Sequence, residues 1–484
     1  MNYQFRDFKL NKNILKALNN LKYKVPTKVQ ENVIPKLLNK DDIVVKSKTG
    51  TGKTASFAIP ICESIDINKG IQALIIVPTR ELAFQVSEEI SNIGRLNKIR
   101  SISIYGKQPI KEQIISLKQR IHIVVATPGR IIDHIQRGTI DLDKLKFLII
   151  DEADKMLNKE FIKQIDFIFK SIKSKKTVGL FSATIDKDVE YICKNYLNNP
   201  IIIDIDDDTL KHNKQINESI IKVEENEKYE LLKKVIYLEN PKSIIIFLNT
   251  KDKVSKLYNK MKEDKFLVRQ LHGDMSQDKR MYVLKDFKEE KFNILISSDI
   301  SSRGIHIDEI SLVINYDVPK DKENYIHRIG RTGRKNNFGK AITLVNLKDE
   351  KYMNEIIDYI GYELEEINQF DHDKIKYGKS KFEEKCKKIL RNKKSKKEEN
   401  KVHNEITTIY LNAGKKKKIR TLDIVGAISN IDGITGDDIG VIKIEELCSY
   451  VDILNYKGER LLKKYKEIRI KKKLVKIKRD NLNK

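Results

Sequence analysis

Three clusters of residues have the types and spacing needed to handle a phosphate anhydride. The first, Ser47-Lys48-Thr49-Gly50-Thr51-Gly52-Lys53-Thr54, follows the apolar run Ile43-Val44-Val45 and precedes a helical pattern. Glycines let backbone N–H groups wrap phosphates, and the N-terminus of the next helix favours negative charge. In such a loop Lys48, Thr49, Gly50, Thr51, Gly52, Lys53 and Thr54 would form the cradle for the phosphates of a nucleotide. Lys53 would reach the outer phosphates and the Thr54 hydroxyl would bind Mg2+. The glycine that usually opens the pattern is Ser47. The second cluster, Asp151-Glu152-Ala153-Asp154, follows the run Phe147-Leu148-Ile149-Ile150. Asp151 can hold Mg2+ through the ion's water shell, and Glu152 can orient or deprotonate the attacking water. The third, His327-Arg328-Ile329-Gly330-Arg331-Thr332-Gly333-Arg334, lies in the second half of the chain. Arg331 and Arg334, three apart, can face one way and stabilise charge on a transferring phosphoryl group.

The elements that must position these residues are legible as runs. Residues 1–205 alternate helical patterns with Ile43-Val44-Val45, Ala73–Val77, His122–Ala126, Phe147–Ile150 and Thr177–Phe181. The runs are continuous rather than alternating and rich in β-branched residues, as strands are when both faces of a parallel sheet are covered. Most end directly in a polar signature: SKTGTGKT, PTREL, TPGR, DEAD or SAT. In parallel α/β sheets, loops at the carboxyl ends of the strands form the ligand crevice.

A second α/β pattern fills about 215–370, with strands at Ser243–Leu248, Ile294–Ser297, Leu312–Asn315 and Ala341–Val345. The acidic stretch Asp204-Ile205-Asp206-Asp207-Asp208 between the halves reads as a hinge. Residues 377–403 carry 11 basic and 4 acidic residues, the composition of a flexible or partly helical linker. Residues 404–484 regain order as strand, helix, strand, strand, helix, strand, matching the small sheet module of RNA-recognition motifs. The expected layout is therefore a first lobe over 1–208, a second over 215–375, a basic linker over 376–403 and an RRM-like module over 404–484. The fold class is α/β with a small C-terminal α+β domain.

The 484 residues carry 95 Lys and Arg against 69 Asp and Glu, a net charge of +26. Residues 377–484 hold 30 basic against 15 acidic residues, more than half of the excess. That asymmetry points to a nucleic acid partner. With 40% hydrophobic residues, wholesale disorder is excluded. No apolar run is long enough to span a bilayer, so no membrane partner is expected. Cys62, Cys193, Cys386 and Cys448 form no CxxC pair, and Met1–Asp7 has no apolar core of a signal peptide, so a reducing cytoplasm is the expectation.

In order along the chain stand the segment Phe5…Tyr23…Pro26-Thr27-Lys28-Val29-Gln30, SKTGTGKT, PTREL (78–82), TPGR (127–130), DEAD (151–154), SAT (182–184), His272-Gly273-Asp274-Met275-Ser276-Gln277, Ser302-Arg303-Gly304-Ile305 and HRIGRTGR (327–334). This series resembles the DEAD-box RNA helicases over about residues 1–375. The resemblance implies two RecA-like lobes that close over ATP and single-stranded RNA. It implies that Gln30 reads adenine, with Tyr23 as a stacking partner. Pro78, Thr79, Arg80, Thr127, Pro128, Gly129 and Arg130 would contact the RNA backbone, while Ser182 and Thr184 would couple hydrolysis to strand separation. Hydroxyls, backbone N–H groups and arginines suit phosphates and sugars, which carry no sequence information. Three positions depart from the family pattern. Lys22 replaces a glycine before Tyr23, Tyr105-Gly106-Lys107-Gln108 replaces a Gly-Gly pair, and His306 replaces an acidic residue expected to hold the ribose.

Residues 404–484 resemble the C-terminal domain of the DbpA-type subgroup through Arg420–Ile428, Ile431–Ile434, Asp438–Ile442 and Ser449–Leu454. This implies selectivity for a 23S ribosomal RNA hairpin and a role in large-subunit assembly. Independently, Tyr410 and Tyr450 fall where sheet aromatics stack bases, while Cys448 occupies the place of a third. Lys415–Lys418, among them Lys416, Arg420 and the tail from Lys463 to Arg479 offer phosphate contacts. The motif set leaves two activities open, an RNA helicase or an ATP-gated RNA clamp or annealing chaperone, and a monomer is favoured.

Overall fold

The computed structural model describes residues 3–47, 51–156, 159–185, 187–205, 216–298, 310–333, 338–399, 406–471 and 473–480. Lys48, Thr49, Gly50, Asp206–Asp208, Ser302–His306 and Arg334 lie outside them. In the first lobe the strands are β1 (Ile43–Lys46), β2 (Ala73–Ile76), β3 (Ser101–Ile104), β4 (Ile123–Ala126), β5 (Phe147–Ile150), β6 (Thr177–Ser182) and β7 (Ile201–Asp204). They form one seven-stranded sheet in the order β3-β4-β2-β5-β6-β1-β7, with every pairing parallel. β2, β4 and β5 are buried along their whole length, which explains their unbroken Val/Ile/Leu composition. The edge strands β3 and β7 are only partly covered. Neither was among the five expected runs, β3 because serine alternates with isoleucine along it and β7 although it opens with three isoleucines.

A parallel sheet places all its carboxyl ends on one rim. Read across it, the signatures follow the strand order: the phosphate loop after β1, SAT at the end of β6, DEAD after β5, PTREL after β2, TPGR after β4 and Tyr105–Gln108 after β3. Neighbouring strands lie about 4.8 Å apart, so six chemically distinct loops line a rim of roughly 24 Å.

The second lobe repeats the plan with β8 (Ile216–Lys222), β9 (Ile244–Leu248), β10 (Val268–Leu271), β11 (Ile294–Ser298), β12 (Leu312–Asn315), β13 (Gly339–Val345) and β14 (Glu365–Glu366). Their order is β10-β11-β9-β12-β13-β8-β14, again parallel throughout. The lobe runs past the boundary expected at 375. Helix His372–Glu399 packs on helix Lys228–Glu239, and Phe382, 2% exposed, sits against Tyr237 and Phe266 with ring centroids 6.1 and 6.0 Å away. Gly378 permits this crossing, since a β-carbon there would overlap the Tyr237 carbonyl oxygen. Lys385 then donates to the Asn240 and Pro241 carbonyls at 2.6 and 3.0 Å. The first half of the supposed linker is thus a packed helix, because two apolar side chains, Phe382 and Cys386, recur at helical spacing within its basic sequence.

The C-terminal domain contains β15 (Thr407–Leu411), β16 (Ile439–Ile444), β17 (Ser449–Ile453), β18 (Glu467–Ile470) and β19 (Lys473–Arg479), with helices Thr421–Ser429 and Lys457–Lys464. Its antiparallel sheet is ordered β16-β17-β15-β19-β18. Ile409, Leu411, Val451 and Ile453 pack with Ile424, Ile428 and Leu461 of the helices, leaving alternate residues on the other face. β18 is additional to the expected order. Its alternation Glu467-Ile468-Arg469-Ile470 buries both isoleucines, a period-2 pattern hidden within the basic tail.

Candidate nucleotide and RNA site

The phosphate loop is fastened on both sides. Lys46 pairs with Ser182 across β1 and β6, and the Ser47 amide donates to the Ser182 carbonyl at 2.9 Å. The Ser47 and Thr51 hydroxyls meet at 2.8 Å. Lys53 opens helix Lys53–Ser64, is 6% exposed, and donates from Nζ to the Ser47 carbonyl at 2.8 Å. The lysine is thus tied to the first residue of the loop, and Thr54 lies half-buried in the same first turn.

Gln30 braces the loop from the other side. Thr27 and Gln30 make a reciprocal cap at the start of helix Lys28–Leu38. Gln30 Nε2 donates to the Gly52 carbonyl at 3.2 Å, and the Thr27 hydroxyl donates to the Thr51 carbonyl at 2.8 Å. Gly52 has φ +88°, and a β-carbon on it would lie 2.6 Å from Gln30 Nε2. Both the backbone conformation and the space therefore require glycine there. Tyr23 packs edge-on to Phe5, and its hydroxyl donates to Glu89 Oε1 at 2.8 Å. Burial, with Glu89 beside it, pushes that hydroxyl well above its ordinary pKa.

Asp151 and Glu152 are each 2% exposed. Burial pushes the Asp151 carboxyl up to about 6, against the pull of Lys53 and with the push of Glu152. Its Oδ1 accepts from the Glu152 amide at 2.9 Å. Glu152 adopts φ +54°, a left-handed conformation that a side chain bearing a β-carbon rarely takes. Lys155 donates to Glu152 Oε1 at 2.8 Å. A buried carboxylate beside a lysine and a half-buried hydroxyl suits a hydrated divalent cation that is itself bound to phosphate. Among the described residues no cluster of three or more His, Cys, Asp or Glu offers a stand-alone metal site. On the adjoining strand the Ser182 hydroxyl donates to the Thr184 carbonyl at 2.6 Å.

Farther along the rim, Thr79 caps helix Arg80–Gly94 by accepting from the Leu82 amide. Pro78 precedes it, and Arg80 lies beside Gly106. Thr127, Pro128 and Gly129 open helix Pro128–Gln136. Two helix N-termini on neighbouring strands thus present backbone N–H groups, which suit an anionic backbone. Arg130 turns inward, donating to the Gln108 carbonyl and to Gln113 Oε1, both at 2.9 Å. His134 shares Gln113 Oε1 at 3.1 Å, and Gln108 Nε2 reaches the Tyr105 hydroxyl at 2.9 Å. Lys107 holds φ +63° where the family pattern has glycine, and so does Lys22 at its own altered position. Both lysines thus stand in the left-handed backbone region that favours glycine.

In the second lobe, Arg328 does what the motif alone did not reveal. It is 2% exposed, donates to the Asp317 carbonyl at 2.7 Å and to Asn249 Oδ1 at 2.9 Å, and stacks over Phe247. It ties helix Lys322–Ile329 to the ends of β9 and β12. Arg331 follows that helix and is 6% exposed.

On the C-terminal sheet, Tyr410 and Tyr450 are register partners, 5.8 Å apart and tilted at 69°. Lys443 pairs with Tyr450 and Lys478 with Tyr410, each ammonium within 6 Å of its ring. Four strands therefore present one row of Lys, Tyr, Tyr and Lys. Lys416 and Arg420 are exposed nearby in sequence, on the turn and at the cap preceding helix Thr421–Ser429.

Residues 27–192 match the DEAD/DEAH box helicase family, 227–336 the helicase conserved C-terminal domain, and 408–479 the DbpA RNA binding domain. The ATP-dependent RNA helicase DbpA of Bacillus subtilis (strain 168) is 45% identical over 479 residues, 99% of each chain. The chain belongs to the DbpA-type DEAD-box RNA helicases. The helicase CshA of the same organism is 37% identical and matches 74% of this chain and 72% of its own. Among solved structures, S. cerevisiae Dbp5 bound to RNA and ADP BeF3 superposes with TM-score 0.68 at 30% identity, covering 78% of this chain and 99% of that one. As a DbpA-type DEAD-box helicase the chain is an ATP-hydrolysing, RNA-binding enzyme built on two RecA-like lobes with a small C-terminal RNA-binding domain. Among its described residues no helix is long and apolar enough to cross a membrane.

Proposed function

We propose that this helicase separates short duplexes in 23S ribosomal RNA during assembly of the large ribosomal subunit, acting as a cytoplasmic monomer. The DbpA RNA binding domain match over 408–479, joined to both helicase lobes in one chain, carries this reading. Lys53 would hold the outer phosphates of ATP. Thr54 directly, and Asp151 through water, would hold Mg2+, which supplies charge neutralisation at the phosphates when bound. Glu152 would take a proton from, or orient, the attacking water, with the left-handed backbone aiming its carboxylate. Arg331 and Arg334 would stabilise the transferring phosphoryl group. Gln30 and Tyr23 would receive adenine. Pro78, Thr79, Thr127, Pro128 and Gly129 would offer hydroxyl and backbone contacts to RNA, with Arg80 and Arg130 bracing that surface. Ser182 and Thr184, hinged to the phosphate loop through Ser47, would pass the loss of phosphate to the RNA rim. The first lobe would then span 1–208, the second would begin at 215 and extend through helix His372–Glu399, and the RNA-binding module would span 404–484.

The test is phosphate release by the purified chain with Mg2+, ATP and either a 23S hairpin with single-stranded flanks or poly(A). The expected result is strong stimulation by the hairpin. Glu152→Gln should lower turnover by roughly a hundredfold or more while RNA binding persists. No phosphate release with either RNA overturns the motor reading. Equal stimulation by both overturns the 23S assignment. Turnover without displacement of a short annealed strand leaves the clamp in place of the helicase.

A further inference from the structure

The C-terminal domain and the first lobe form one compact unit, and their contact falls on the face that carries the two tyrosines. Arg95, just past helix Arg80–Gly94, grips Asp452 with two N–H groups at 2.8 and 2.7 Å. The same guanidinium donates to the Thr408 hydroxyl at 2.7 Å, and Thr408 in turn donates to Asp452 at 2.7 Å. Gln119 Nε2 donates to the Ile444 carbonyl at 3.1 Å. Ala17 and Leu96 of the lobe pack with Leu454 and Ile406 of the domain. The Asp452 side chain is only 9% exposed in this arrangement.

Register decides what the contact covers. Thr408 pairs with Asp452 as Tyr410 pairs with Tyr450, and residues two apart on a strand share a face. Ile444 pairs with Ser449, immediately before Tyr450. Along β17 the two anchors therefore bracket Tyr450. Asp452 is also a carboxylate on the same face as the tyrosines, two residues along β17 from Tyr450. Left bare it would repel phosphate, and docked it is neutralised by Arg95.

We propose that the first lobe masks the nucleobase-stacking face of the C-terminal domain, and that single-stranded RNA must displace Arg95 from Asp452 to reach Tyr410 and Tyr450. The proposal rests on those tyrosines stacking bases. The mask leaves the rest of the machine clear. Arg95 and Gln119 precede β3 and β4, so they sit at the amino-terminal rim of the sheet. Helix Arg80–Gly94, 15 residues or about 22 Å long, separates them from PTREL on the opposite rim. An undocked domain binds RNA with its intrinsic affinity, while a docked one shows that affinity reduced by the undocked fraction.

The experiment compares full-length variants for binding a fluorescent single-stranded RNA oligonucleotide without nucleotide. Arg95→Ala should bind about five- to tenfold tighter, although it removes a positive charge, and Gln119→Ala should move the same way by less. Adding Tyr450→Ala to Arg95→Ala should abolish the gain, and Tyr450→Ala alone should weaken binding. If Arg95→Ala and Gln119→Ala both bind as the parent does or more weakly, the mask is wrong, whatever Tyr450 does. If Tyr450→Ala alone binds as the parent does, base stacking on this face is wrong and the mask falls with it. Unchanged melting of each variant shows that it is folded.

Discussion

Asp151 displays the conflict at the centre of the site. A carboxyl that is 2% exposed would sooner be neutral, and Lys53 offsets that preference only in part. With its folded pKa near 6, above the unfolded 3.8, its favourable contribution is complete below about 4 and is lost as pH rises through 6. At neutral pH the ionised carboxyl costs stability in the nucleotide-free chain. Asp151→Asn should therefore stabilise that chain by roughly 1–3 kcal/mol at pH 7.5, with the advantage vanishing toward pH 4. Urea titrations across that pH range, run without Mg2+ or nucleotide, measure it. A constant advantage, or none, would refute the account. At this scale the chemistry was legible because spacing carries it: Lys53, Thr54, Asp151 and Glu152 stand at fixed distances from their strand ends. Lys155 and Arg328 were not legible. Their partners, Glu152 in one case and Asn249 with Asp317 in the other, become partners only through the fold.

Among elements, two loops hold a lysine in the backbone region that favours glycine. Lys22 and Lys107 stand where the family pattern has glycine, and both adopt φ +63°. The left-handed conformation costs a side-chain-bearing residue about 1 kcal/mol or more, part of which glycine's greater freedom in the unfolded chain returns. Lys22→Gly and Lys107→Gly should each raise the first lobe's stability by roughly 0.5 kcal/mol, additively because the sites are separate. Thermal melts of the single and double variants check both the sign and the sum. The same scale explains which elements sequence reading found. Buried central strands such as β2 and β5 declare themselves by unbroken apolar runs. β3 and β18 lie at sheet edges, where polar residues alternate with isoleucines and the signal fades into the polar background. Helix His372–Glu399 was hidden by its charge, since Phe382 and Cys386 are the apolar side chains that mark its packed face among the described residues.

For the whole molecule, the helicase family matches and the DbpA RNA binding domain match fall on different stretches of the chain. Deleting 404–484 should remove any preference for the 23S hairpin over poly(A) while sparing weak RNA-stimulated turnover, because every described nucleotide-site residue lies before 334. Phosphate release with the two RNAs distinguishes the outcomes, and a surviving preference would place selectivity within the lobes. Sequence reading reached this division through composition and motif order. It did not reach the Arg95–Asp452 contact, because two residues 357 positions apart leave no local trace.

One further consequence follows from the register of β1. The strand that leads into the phosphate loop is flanked only by β6 and β7, with Ile43 opposite Gly179 and Ile201. During synthesis its neighbours do not yet exist. At about 5–20 residues per second, a ribosome keeps that apolar strand waiting on the order of ten seconds before either arrives. The strand that carries the protein's most conspicuous signature thus waits longest in its lobe for a partner, and the nascent chain is most in need of shelter just where the finished enzyme grips its fuel.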